Sequence, residues 1–332
     1  MKCQIIQWKF QYIICAFIII YCLGCATTQD KRIPNRLQAF MSTKQHPEIT
    51  DKNYRIYNAA GQSARLETIL YEIGLVDVVF LGEMHNDRVG HHVQEIILSS
   101  VTDRYYRNAY ASKRRQVVLS MEMFERDVQM ILDEYLFDII DEHHFLSCAR
   151  PWINYQMNYH PLVQYSKKNN IKVIASNAPR RYVHRVANHG KQSLNDLSTI
   201  AKTWIAPLSY KNPSDRMIKQ FQSFQKKALT QSFVHGKPSQ QSNILAAQNL
   251  WDATMAFSIN DELSNTPKAL VIHLCGNYHT WFGIGIPEHL KAYRPDVKVL
   301  IISIIRDDQF PNFNPNHENS GDFVIITDPD IK

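Results

Sequence analysis

The sequence predicts an α/β domain: a mostly parallel sheet flanked by helices, with a helical cap inserted late in the chain. Three observations lead there. Short apolar runs, most of them rich in Val and Ile, recur at residues 76–81, 117–121, 172–175, 269–274, 297–305 and 323–326, as strands buried on both faces of a parallel sheet require. Stretches with helical periodicity separate the first four of these runs, and the longest separation, about 193–265, shows helical spacing and no strand character. At 332 residues and 45% hydrophobic content the chain has material for one sizeable core.

The N-terminus comes first in order. Lys2 and Lys9 flank the start of an apolar run at 12–23 that is too short to cross a bilayer comfortably, and Gly24 and Cys25 follow. This is signal-peptide anatomy. The segment C-L-G-C at 22–25 resembles a bacterial lipobox, with Cys22 standing where an aliphatic residue is usual. Residues 1–24 are therefore expected to be a lipoprotein signal peptide and Cys25 a lipidated anchor on a cell-envelope membrane. Ala26, not Asp, follows the cysteine, and by resemblance to Gram-negative lipoproteins this favours the outer membrane. Residues 25–53 are polar and aperiodic, a tether, and 54–332 form the single domain.

Charge and cysteines exclude several classes. The formal charge of +6 loses Lys2 and Lys9 with the leader, leaving 35 basic against 31 acidic residues, a net of +4. That is too mild for a nucleic-acid partner, and the basic clusters at 113–115 and 226–227 read as solvated helix faces. Cys3, Cys15 and Cys22 lie in the leader and Cys25 is the expected anchor, which leaves only Cys148 and Cys275, so no disulfide framework or Cys-rich zinc site is available. Cys275 sits in an apolar run and reads as a buried free thiol, with a bridge to Cys148 open to it in an oxidising compartment.

In the domain, Val93, Ile97, Val101 and Tyr105 give a helix after the first run, and Val128, Ile131, Leu132, Tyr135 and Ile139 one after the second. Ala178-Pro179 opens the next, with Asn177 placed to cap it and Gly190 to end it, and Ile286-Pro287 does the same after the fourth run. In the cap, one helix carries Ile218, Phe221, Phe224 and Leu229. The last starts near Ser242 with Leu245, Leu250, Trp251 and Phe257, and presents Gln248, Asp252 and Met255 on a second face, where the two polar residues look either into a pocket or to solvent.

Ligands of parallel sheets bind beyond the carboxyl ends of the strands. Four strand ends here carry functional groups: Glu83 and His85, then Glu122, then Asn177 and Arg180, then His279. Adjacent helix residues point about 100° apart, so of His91 and His92 one faces this rim; His92 is placed in the pocket, together with Asp252. Glu83, His85, Glu122 and His279 suit a divalent metal such as Mn, Fe, Co or Zn, and either glutamate suits a general base. His143, His144, His184, His189 and His289 show no ligand spacing. The segment holding Trp152, Tyr155, Tyr159 and His160 is an aromatic set; phenolate oxygen ligates ferric haem, and Arg180 and Arg181 suit its propionates. Tyr155 and Tyr159 are candidate ligands, as are Tyr278 and Tyr210, while core packing remains the alternative for all of them.

The motifs LGEMHNDRVGHHVQ, LSMEMFERDVQ, NAPRRYVHRVANHG, AAQNLWDATMA and CGNYHTWFGIGIPEHL occur in the order seen in ChaN-like haem-binding proteins, and the chain resembles that family over about 75–295. The family is similar to a wider group that includes the Tiki metalloproteases and the erythromycin esterases, in which matching Glu and His positions serve metal binding or hydrolysis. The resemblance implies a haem-binding outer-membrane lipoprotein of iron acquisition, with haem bonded to a tyrosine and held between two subunits. This sequence departs from the pattern at Asn86 and Arg88, where Asp and Pro are usual, and is one residue longer between His85 and His91. Haem uptake is thus the leading expectation, and a metal-dependent hydrolase using the strand-end Glu and His residues the second.

Overall fold

The computed structural model describes residues 48–108, 110, 114–231 and 238–331. The expected leader, Cys25 and most of the tether lie outside them. Each apolar run forms a strand: β2 is Val78–Glu83, β3 Val117–Glu125, β4 Lys172–Asn177, β5 Leu270–Gly276, β6 Val299–Arg306 and β7 Phe323–Thr327. A further strand, β1 at Tyr54–Asn58, joins them in a seven-stranded sheet of order β1-β7-β6-β2-β5-β3-β4. All neighbours pair in parallel except β1, which runs antiparallel to β7 at the sheet edge. β1 escapes an apolar-run search because it is an edge strand in which only Ile56 is buried.

The helices are α1 (Leu66–Ile73), α2 (Arg88–Thr102), α3 (Gln129–Leu136), α4 (Glu142–Cys148), α5 (Tyr155–Asn158), α6 (His160–Lys168), α7 (Arg180–His189), α8 (Thr199–Thr203), α9 (Asp215–Gln231), α10 (Pro238–Asn265) and α11 (Ile286–Tyr293). Alternation along β2 builds two cores. Val79 and Leu81 enter one with Ile97, Leu119 and Phe124, while Val78 and Phe80 enter the other with Val118, Ile259 and Leu290. A third cluster joins α7 to the cap and α10 through Val183, Leu194, Ile205, Leu250 and Ala253. α10 is therefore apolar on two sides, against the sheet and against the cap.

Local details correct several expectations. α10 begins at Pro238, not near Ser242, and Met255 leaves the Gln248–Asp252 face to pack in the sheet-side core. α3 stops at Leu136, short of Ile139, and Asp138 follows in the left-handed region at φ 57°. Asn177 does not cap α7: its carboxamide accepts from Ala178 N–H at 2.9 Å and donates to the Glu122 carbonyl at 3.0 Å. Cys148 is exposed and Cys275 buried, both free thiols, so no bridge joins them. Among the described residues no helix is long and apolar enough to cross a membrane.

Candidate functional site

The sheet register delivers the rim residues. Glu83, the last residue of β2, lies opposite Gly276, the last of β5. β3 pairs with β5 only as far as Met121, and its ladder with β4 shifts register between Met121 and Glu125. A bulge of this kind re-aims a side chain, here Glu122. His279 closes a 3-10 turn, Asn277–His279, directly after β5.

Two buried assemblies result. In the first, Glu83 Oε1 accepts from Tyr159 Oη at 2.6 Å and lies 2.8 Å from His85 Nδ1, while Oε2 accepts from Gln94 Nε2 at 2.7 Å. His91 stands 3.7 Å from the same carboxylate. Burial pushes the Glu83 carboxyl up, but His91, the His85 hydrogen bond and Gln94 together outweigh it and hold it below the usual range. Both nitrogens of His91 lie near oxygens, Gln94 Oε1 at 3.0 Å and the His85 carbonyl at 3.2 Å, which fix the orientation of the ring. That carbonyl also accepts from Asn154 at 2.7 Å and Asn158 at 3.0 Å, so α5 pins the turn that carries His85.

In the second assembly, Glu122 Oε2 accepts from Gly276 N–H at 2.7 Å and Oε1 lies 3.5 Å from His279 Nε2. His279 Nδ1 makes a short contact to Asp252, with the Gln248 amide 3.1 Å from the same nitrogen. Burial works against charge on both partners, yet the His279 cation holds Glu122 down at about 2, and the two carboxylates hold His279 up at about 10. His279 is thus an imidazolium fixed between two carboxylates, not a base. The assemblies meet across Gly276, where a Cβ would lie 3.0 Å from His85 Cε1 and 3.7 Å from His279 Cδ2.

This geometry alters the metal expectation. Glu83, His85, Glu122 and His279 sort into two hydrogen-bonded pairs; among the described residues, only the exposed Asp141, His143 and His144 bring one ligand atom each within 4.8 Å of one another. His92 is also replaced, since it is only half-buried and the imidazole in the cluster is His91. The tyrosine candidates are displaced inward. Tyr155 is buried against Phe124 and Phe145 with an unpartnered hydroxyl, Tyr159 is committed to Glu83, and the hydroxyls of Tyr278 and Tyr210 are buried without partners. Burial pushes all four phenols up, against phenolate formation.

Beside the first assembly opens a cavity of about 1040 Å³ whose wall includes His85, Trp152, Ile153, Arg150, Arg180 and Arg181. His85 is half-exposed, its ring meets Trp152 edge-on at 4.9 Å, and its Nδ1 is held by Glu83, leaving Nε2 without a hydrogen-bond partner among the described residues. Arg150 and Arg181 share Asp127, at 2.7 and 2.6 Å, whereas Arg180 makes no ion pair among the described residues. None of the four tyrosines lines this wall. Sequence spacing held a usable signal for two residues that were missed: Asn154 and Asn158 stand four apart and so share a face.

Comparison with known proteins adds to this geometry. A family model described as haem-binding uptake, Tiki superfamily, ChaN, matches residues 69–290. The chain belongs to the ChaN family. A solved structure of ChaN from Campylobacter jejuni, described as binding haem cofacially, superposes with a TM-score of 0.63 at 19% identity over 85% of this chain and 99% of that one. It shares the ChaN fold seen here. An erythromycin esterase in its open conformation overlaps with a TM-score of 0.43 at 12% identity, over 85% of this chain and 83% of that one. The Arabidopsis thaliana protein RETICULATA-RELATED 5, chloroplastic, is 23% identical over 244 residues, 70% of this ChaN family member. The chain spans about a third (32%) of that curated relative's length.

Proposed function

We propose that this chain is a lipid-anchored haem-binding protein of the cell envelope, probed most directly at the cavity beside His85. The observation that carries this reading is the Glu83–His85 pair on the cavity wall. A carboxylate that holds one imidazole nitrogen orients the other as a metal-facing donor, and His85 Nε2 has no hydrogen-bond partner among the described residues. The rest of the wall fits a porphyrin: Trp152 and Ile153 offer apolar contact, and Arg180 has no competing carboxylate for a propionate. His85 and Arg180 would hold haem, which would supply an iron and two carboxylates. Tyr159 acts one step behind, bonding Glu83 and thereby steadying His85.

The reading extends to uptake at the outer membrane, anchored through Cys25 after loss of residues 1–24, which the family's description and the leader's motif support. Haemin titration of the purified chain, read at the Soret band, tests the site. Saturable binding is expected, weakened in His85→Ala and Trp152→Ala and little changed in Tyr155→Phe. Binding that ignores both of the first two substitutions would overturn this assignment. Mass spectrometry of the mature N-terminus tests the anchor, where an unmodified Cys25 counts against it.

The hydrolase reading keeps one supporting feature, the buried row Glu122–His279–Asp252. With His279 held as a cation between Glu122 and Asp252, both of its nitrogens face carboxylates, so the row as it stands offers no free base nitrogen. Stoichiometric metal in the purified chain with no haemin response would favour hydrolysis.

A further inference from the structure

We propose a second ligand site, for a phosphorylated organic anion, at the end of the sheet opposite the histidine rim. A cavity of about 720 Å³ opens there, beneath the amino ends of the central strands. Its wall gathers Arg104, Arg114, Arg115, Lys268 and Lys298 against a single carboxylate, Asp77. One carboxylate does not balance five cations: Asp77 lies close enough to Arg115 to stabilise its charge, its Oδ2 accepts the Lys298 backbone N–H at 3.0 Å, and among the described residues it forms no ion pair. Among the described residues Arg104, Arg114, Lys268 and Lys298 also form none.

Arg115 is the framework of the site. Its guanidinium donates to the carbonyls of Val76, Lys268 and Ala269 at 2.7, 3.1 and 2.8 Å, tying together the chain segments that enter β2 and β5. The other four cations are exposed, and of them Arg104 lies over the Tyr105 ring, 5.7 Å from its centroid. Like charges around one concavity repel, and a bound anion removes that cost. Two backbone features favour a built site over a chance patch. Lys268 sits at φ 68°, a left-handed conformation that strains a side-chain-bearing residue. Arg104 and Tyr105 lie on a π-helical turn, Asp103–Arg107, that extends α2; such turns are frequent at functional sites. The cavity exceeds a bare phosphate in size and includes the Tyr105 and Tyr110 rings, which fits an organic phosphate ester carrying more than one negative charge. Such a group is found on soluble phosphate esters and on acidic phospholipid headgroups.

The test uses the full chain in phosphatidylcholine nanodiscs at low salt, titrated calorimetrically with inorganic pyrophosphate. One saturable site is expected, weakened about tenfold in Arg114→Gln/Lys298→Gln, because each lost cation removes a charge-assisted contact. Both substituted side chains are exposed, so an unchanged melting curve will accompany the loss. Absence of saturable binding, or equal binding by the double variant, would overturn the site. Nanodiscs containing phosphatidic acid identify the source. If pyrophosphate binding weakens there in the parent chain only, a lipid headgroup occupies the cavity; if it does not, a soluble ester is the ligand.

Discussion

Gly276 has φ −59°, a conformation open to any residue, so alanine there adds only a methyl group 3.0 Å from the His85 ring. Gly276→Ala is expected to destabilise the fold by about 1–2 kcal/mol and to weaken haemin binding by moving His85. Urea unfolding and Soret titration check it; unchanged binding would show that the His85–His279 spacing is not needed. The pH dependence follows from the same cluster. His279 is raised from 6.5 to about 10, so its contribution is complete below pH 6.5 and is lost as pH climbs towards 10. Glu122 is lowered from 4.5 to about 2, so its contribution is complete above pH 4.5 and is lost as pH falls towards 2. Burial pushes His289 and His273 down to about 4 and about 3, and their protonation on unfolding adds to the acid loss below pH 6.5. Thermal stability should therefore peak near pH 6.5. His279→Gln should flatten the alkaline fall in melting temperature, and a parallel fall in both proteins would remove His279 as its cause.

Among the elements, α10 carries the most dependence, because it packs on the sheet with one side and on the cap with the other. Ile259 is fully buried in the core cluster that also holds Phe80 and Val118 of that sheet face. Its truncation to alanine should cost about 2–4 kcal/mol. Ile200 on α8 is 67% exposed, and the same change there should stay within about 0.5 kcal/mol. Denaturant midpoints compare the two, and similar losses would mean that the cap packs otherwise than described. The same helix supplies Asp252 and Gln248 to the rim, so damage to its packing should also reach His279.

For the whole molecule, apolar surface collects beside the His85 cavity. Ile153 is wholly exposed and Met157 is 55% exposed. On the proposed reading, a haem seated against Trp152 would leave one face to water, and a second copy covering that face would remove apolar surface. Sedimentation should therefore show dimers when haemin is added. Met157→Glu, outside the cavity wall, should keep the protein monomeric while each chain still binds haemin. Dimers of unchanged strength in that variant would place the seam elsewhere.

Hydrophobic patterning by itself determined six of the seven strands, since a strand buried on both faces leaves an unbroken apolar run, and with them the parallel α/β class. The residues closing those runs, Glu83, Glu122, Asn177 and His279, were legible for the same reason: chain order places them at one end of a parallel sheet. The ordered motifs were legible enough to imply the family. Tertiary structure alone decided the pairings. Whether His91 or His92 turns inward depends on how α2 is rotated against β2, which a two-residue choice in sequence does not encode. The burial of Tyr155 and Tyr159 depends on how α5 and α6 dock, and their aromatic composition suits a core or a ligand wall equally. The division of four expected metal ligands into two assemblies across Gly276 rests on strand register and on the β3 bulge, distances set between elements far apart in the chain. The basic cavity has the same origin, because Arg104, Arg114, Lys268 and Lys298 come together only when the amino ends of separate strands align.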